Sequence, residues 1–93
     1  MARREGNRLL LEGAVNMDTV AALVPVAERL VREGVELVDL AAVTEVDSAA
    51  VALALTLTRA AGEAGRTIAF VNLPSAMSEL ARLYGVADFV RLG

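Results

Sequence analysis

The residues of this chain whose types and spacing could do chemistry are an acid and a hydroxyl side by side, Asp47 and Ser48. They stand where an apolar, strand-like run (Val35 to Leu40, then Val43 and Val46) gives way to an alanine-rich stretch that can be a helix. Ser48 is a good N-cap residue, so its hydroxyl is expected among the unpaired N–H groups of the first helical turn, at the positive end of the helix dipole. Such a position favours an oxyanion. A helix that is merely capped would carry the same two residues, so the rest of the chain has to decide between a functional and a structural role.

An activated nucleophile is the most demanding reading of the pair, and the parts for it are missing. A serine nucleophile needs a base that is itself held by a third group. The chain has no histidine, cysteine or lysine, all nine basic residues being arginine. The same absences exclude disulfides, thiolate chemistry and nearly every zinc or haem arrangement. No enzymatic activity, cofactor or metal is therefore expected. Nucleic acid is not an expected partner either, because the net charge is −3 and the arginines are scattered rather than gathered against successive phosphates. A Gly-rich phosphate loop, which would favour a nucleotide-binding module, is absent from the sequence.

With 93 residues, the chain suffices for a single domain with one core, spanning 1–93. Its hydrophobic fraction of 56%, mostly Ala, Val and Leu with two Phe, one Tyr and no Trp, implies a core filled by small side chains. The positive mean hydropathy does not imply a membrane span. Apolar runs such as Ala49 to Leu55 fall far short of the ~18 residues that a spanning helix needs. After MARREGN, the residues Glu12, Gly13 and Asn16 interrupt any apolar core of signal-peptide kind. The expected setting is cytoplasmic, without direct insertion into a membrane.

The elements that must position Asp47 and Ser48 can be read in order. Arg8 to Glu12 (RLLLE), entered from Gly6-Asn7, reads as a strand, with Ala2 to Glu5 as a possible hairpin arm. Asp18 or Thr19 can cap an amphipathic helix whose apolar stripe is Val20, Leu23, Val24, Ala27, Leu30 and Val31 and which ends at Gly34. Pro25 removes a backbone donor inside it, so an irregular first turn and a late start are expected. Val35 to Leu40 is apolar at nearly every position, as in a central strand covered on both faces. Asp39 near its end could be a ligand or a base, but a carboxylate at a strand terminus more often binds loop N–H groups, which predicts a structural role.

Val51 to Thr58 alternates like a strand, yet the cap at Ser48, the propensity of alanine and the stop at Gly62 or Gly65 predict one long helix. Wound as a helix, Val51 and Leu55 fall on one side and Leu53 and Leu57 on another. One stripe facing the sheet cannot bury all four, so Val51 and Leu55 are expected to stay exposed as surplus apolar surface. The chain without its partner is then expected to self-associate, as a homodimer for example, or to be only marginally stable. Thr67 to Leu73 is the next strand. Ser75 caps a third helix to about Tyr84 with the stripe Met77, Leu80, Ala81 and Tyr84, and Phe89 to Leu92 can add an edge strand. Alternation of this kind predicts an α/β fold, a small mixed β-sheet with a parallel centre and about three to four helices packed against it.

This order of elements, together with the residues VDLAAVTEVDSAAVALAL, resembles a STAS domain, the fold of anti-sigma-factor antagonists and of the cytoplasmic tails of sulphate transporters. In that family a strand ending in Asp-Leu is followed by a Val/Ile/Met-Asp-Ser/Thr-small-Gly turn that opens the next helix. Asp39-Leu40 and Val46-Asp47-Ser48-Ala49-Ala50 stand in those places. Ala50 departs from the family's Gly, which puts in doubt any role that needs positive φ there.

Within the family the chain is similar to the stand-alone STAS subunit of Mla-type ABC transporters, which move phospholipid between the membranes of Gram-negative bacteria. The pointers are the N-terminal hairpin region, Pro25 inside the first helix, and Ala81 to Val86 (ARLYGV). The resemblance implies a non-catalytic subunit, peripheral to the inner membrane, that docks on the transporter's ATPase through a surface containing Ser48. Ser48, Val51, Ala52 and Leu55 share a helical face, and with Ala49 they are the expected contacts. The alternative implied by the family is a switch that sequesters an anti-sigma kinase, with Ser48 as the phosphoacceptor.

Overall fold

The computed structural model describes residues 1–85. In chain order its elements are β1 (Ala2–Glu5), β2 (Arg8–Val15), α1 (Val20–Arg32), β3 (Leu37–Val46), α2 (Ser48–Glu63), β4 (Ala69–Val71) and α3 (Ser75–Leu83). The strands form one sheet in the order β1-β2-β3-β4. β1 pairs antiparallel with β2, while β2 with β3 and β3 with β4 run parallel. The expected mixed sheet with a parallel centre is thus present, with three helices among the described residues. The edge strand expected at Phe89 to Leu92 lies outside the described residues.

Alternation along the strands decides where the helices lie. Leu9, Val38 and Phe70 stand side by side in register and are buried. Leu11 and Leu40 share their face, and the same core cluster takes in Leu23, Ala27 and Val31 of α1, Leu53 and Leu57 of α2, and Met77 of α3. The neighbouring row, Leu10, Asp39 and Val71, points the other way. The three helices therefore cover one face of the sheet, not both as the composition of Val35 to Leu40 had implied. The apolar excess in that run has two other sources. Val35 is not in the strand: its N–H donates to Leu30 O (3.2 Å) while Gly34 N–H donates to Val31 O (3.2 Å). With Gly34 at φ +118, this is the Schellman ending of α1, and Val35 is its buried apolar residue. Leu37 is the half-buried first residue of β3.

β3 also runs on past Leu40 to Val46, because its ladder with β2 is irregular in two places. Leu10 faces Asp39 but Glu12 faces Ala42, and Gly13 faces Val43 but Ala14 faces Glu45. Each shift adds a residue to β3, and together they return Val43 and Val46 to the core side at a spacing that no strict alternation would predict.

The N-terminus of α1 is regular in spite of Pro25, and the helix begins at Val20 rather than late. Thr19 is the N-cap, its hydroxyl donating to Ala14 O (2.9 Å) and accepting from Asn16 N (3.0 Å). Pro25 deprives only the Ala21 carbonyl of its donor, and both residues are exposed, so water can replace it. β4 is shorter than Thr67 to Leu73, because Asn72 turns into the left-handed region at φ +57.

α2 is the long helix expected from its caps, ending at Ala64 with Gly65 at φ +74. It contacts α1 on one flank and α3 on the other, so it buries a wide arc rather than one stripe. Val51, expected on the exposed side, is turned into the core at 4% exposure. Leu55 is half-buried, and the exposed positions along the opposite stripe are Ser48, Ala52, Arg59 and Gly62. The surplus apolar surface foreseen on this helix has mostly been taken up by its helical neighbours. Tyr84, placed in the apolar stripe of α3, is exposed instead.

The packing of α2 makes a direct prediction for urea denaturation. Leu53→Ala and Leu57→Ala should each cost about 2–5 kcal/mol. Val51→Ala should also be costly, on the order of the 1.5–3 kcal/mol that burial of such a side chain provides. A silent Val51→Ala would mean that the helix is rotated from the orientation described.

Candidate functional site

The turn between β3 and α2 is built around the carboxylate of Asp47. In extended conformation (φ −138, ψ −164), Asp47 is the N-cap of α2, and its Oδ1 accepts the Ala49 N–H at 2.8 Å. The cap is thus one residue earlier than expected. Ser48 is the first helical residue, since the extended, non-helical backbone falls at position 47, and the residue is exposed to solvent. Asp47 Oδ2 reaches across to the β2–α1 loop and accepts the Met17 N–H at 3.1 Å. A second bridge lies beside it, from Asn16 Nδ2 to Glu45 Oε1 (3.2 Å). The ends of two neighbouring parallel strands are therefore tied by side chains just where each chain leaves the sheet.

That tie brings forward a residue that sequence reasoning missed. Met17 is 71% exposed, a large apolar side chain standing beside the Asp47–Ser48 turn. The signal for it was faint: a lone Met in the turn-forming run Asn16-Met17-Asp18-Thr19, where nothing in the local pattern calls for an apolar residue. Met17, Ser48 and Ala52 are exposed, and Leu55, one turn after Ala52 on the same stripe of α2, is half-buried. Ala49 and Ala50 are buried under the first turn of the helix, as is Val51. Ala50 sits in regular helix, its N–H donating to Asp47 O at 3.0 Å. Asn72 alone among the described non-glycine residues has positive φ, so the turn here needs no Gly at position 50.

Asp39 belongs to a different cluster, on the sheet face away from the helices. Its Oδ1 accepts from Ala41 N–H (2.9 Å) and Asn72 Nδ2 (3.0 Å), and its Oδ2 from Arg8 Nη1 (2.6 Å). The Asn72 amide, then the Ala41 N–H, and then Arg8 hold its carboxyl below the ordinary carboxylate value, against the opposing effect of burial. Both oxygens are engaged, by the N–H of Ala41 within β3 and by two side chains, where loop N–H groups were expected. Among the described residues there is no group of three or more acidic side chains placed to hold a metal ion, and no helix is long and apolar enough to cross a membrane.

The profile of the family described as "Mlab, STAS domain" matches residues 1–92. The chain belongs to this STAS family. Solved STAS-type structures agree in fold. A Thermotoga maritima protein assigned as an anti-sigma factor antagonist superposes with a TM-score of 0.75 at 12% identity, covering 99% of this chain and 83% of that one. The anti-sigma factor antagonist SpoIIAA in its unphosphorylated form gives a TM-score of 0.67 at 13% identity, covering 89% of this chain and 81% of its own. At such identities the likeness is one of fold. No protein of curated function matches the STAS chain in sequence.

The state of Asp39 predicts how acid acts on this STAS domain. Its folded carboxyl titrates below the unfolded value of about 3.9, so the stability it contributes is complete above that value. It is lost as the pH falls through the lower folded value. Asp39→Asn should be less stable than the parent at neutral pH, and the difference should shrink as the pH drops below about 4. Circular dichroism melts in steps from pH 7 to 2 measure this, and a difference that stays constant down to pH 2 would contradict it.

Proposed function

We propose that this chain is a non-catalytic docking subunit that binds the ATPase of a phospholipid-transporting ABC system of the Mla type. The observation that carries the reading is the match to the Mlab family over nearly the whole length of the chain. The geometry of the Asp47–Ser48 turn supports it. Ser48 and Ala52 are small and exposed, which lets a partner's backbone approach closely, while Met17 beside them is an adaptable apolar anchor. Leu55 extends this surface along the helix. Ala49 and Val51, also expected as contacts, are buried and do not line this surface, and Ala50 is buried with them.

Catalysis by Ser48 lacks a base. The nearest carboxylate, Asp47, already accepts an N–H on each oxygen, and the chain supplies no imidazole, thiolate or lysine amine. Through the ATPase the subunit would sit at the cytoplasmic side of the inner membrane without entering it.

A second reading, an anti-sigma-factor antagonist switched by phosphorylation of Ser48, draws on one specific feature: this hydroxyl is exposed at the first position of a long helix and is not consumed by the cap. A phosphate there would be tolerated by the helix dipole, so its effect would fall on the partner rather than on the fold.

Co-purification with an Mla-type ABC ATPase from the same organism tests the first reading. Ser48→Arg should weaken capture at least about tenfold, as loss of a well-placed interface residue does, while the melting temperature changes little. Undiminished capture by a folded Ser48→Arg protein would overturn the proposal. Intact-mass measurement of the protein from its native host separates the two readings. A substantial phosphorylated fraction that disappears in Ser48→Ala would favour the switch.

A further inference from the structure

We infer that the Asp39 carboxylate positions the Asp47–Ser48 turn from within the sheet, by holding strand β3 in its bulged register. Asp39 and Asp47 are separated by most of the strand, and each has its own set of partners. The link between them is the ladder. Asp39 is the last residue of β3 in regular pairing with β2, opposite Leu10, and the first extra residue enters immediately after it, since Glu12 already faces Ala42. The bond from Ala41 N–H to Asp39 Oδ1 spans that interval. The carboxylate thus receives the N–H donor beside the bulge, and Arg8 of β2 on one side and Asn72, just past β4, on the other hold the same carboxylate.

What depends on this extra residue is the face presented by everything downstream. Side chains in a strand alternate, so removing one residue from the β3 side of the ladder turns the remainder over. Val15 now faces Val46. With one extra residue fewer it would face Glu45, which would set a carboxylate toward the core and move Asp47 about 3.3 Å along the strand. Asp47 could then no longer reach both Ala49 N–H and Met17 N–H. The helix cap and the bridge to the β2–α1 loop are therefore downstream of Asp39, which acts as a positioning residue for the turn. Its consequence for partner binding rests on the docking reading above, but its effect on the turn does not.

Amide-resolved NMR of the isolated full chain tests the inference without any partner. In Asp39→Ala the Met17 and Ala49 amides, whose acceptors lie on Asp47, should shift. They should also exchange with solvent roughly tenfold to a hundredfold faster, as expected when a hydrogen bond to a charged group is weakened. Asp39→Asn keeps an oxygen for the Ala41 N–H and should restore both signals. Asn72→Gly keeps the left-handed backbone and removes only the amide donor, so it should lower stability and leave both signals in place. If Asp39→Ala does not fold, Ala41→Pro deletes the donor instead and should displace the same two amides. Unchanged Met17 and Ala49 signals in a folded Asp39→Ala or Ala41→Pro chain would overturn the inference, as would equal displacement in Asn72→Gly. Displaced amides with undiminished capture of the ATPase would uphold it and count against the docking reading alone.

Discussion

The parallel pairing of β2 with β3 is the constraint on which the rest of this domain depends. It carries the buried centre of the sheet, and its two irregularities let a longer strand keep step with a shorter one until Val15 and Val46 close the ladder side by side. Both chains leave the sheet from that point, one into the Asn16–Asp18 turn and the other into α2. Their adjacency allows one carboxylate, on Asp47, to cap a helix and hold the neighbouring loop at the same time. A charged group accepting two backbone donors is worth more than a neutral cap, and it fixes the relative placement of two segments that share no covalent restraint nearby.

The opposite ends of the first two helices are joined by a different device. The Arg66 guanidinium, just past α2, donates through Nη2 to the carbonyls of Val31 (2.6 Å) and Arg32 (2.7 Å) at the end of α1, where a cation complements the helix dipole. α1 and α2 are thus pinned together at both ends by polar contacts, with a run of small residues between. Ala50, Ala54, Ala60 and Ala61 are buried along α2, and they let the helix sit close to the sheet and to both flanking helices. In a core with few aromatic side chains, close approach of backbones supplies the packing that bulk would supply elsewhere. The exposed ion pairs of Arg32 with Glu28 and Glu63 add little to this.

Much of the architecture was legible in the chain because helix periodicity and glycine stops act locally. The order of elements, the mixed sheet and the extent of α2 follow from those signals, and Asp47-Ser48 marks the passage from β3 to α2. The misreadings share a cause in the geometry of ends and neighbours. Ser48 and Ser75 are the caps that residue type predicts, whereas the caps are the residues before them, Asp47 and Pro74; either residue of an Asp-Ser pair can cap, and only the backbone angles decide. Val35 read as strand because an apolar residue closing a Schellman turn looks the same as one opening a strand. Val51 read as exposed because a single helix carries no record of how many neighbours flank it. The bulges in β3, and with them the exposed Met17 held beside Ser48, arise from pairing between distant segments, which periodicity within one segment does not encode.

The claim that the Asp47–Ser48 turn is the docking surface is tested most directly by hydrogen–deuterium exchange of the chain with and without its ATPase. Binding should slow exchange in the Asn16–Val20 segment and over the first two turns of α2, while Arg3 to Leu10, in the edge hairpin of β1 and β2, should be unaffected. Slowed exchange in Arg3 to Leu10, with Met17 and Ser48 left as they are in the free protein, would contradict it.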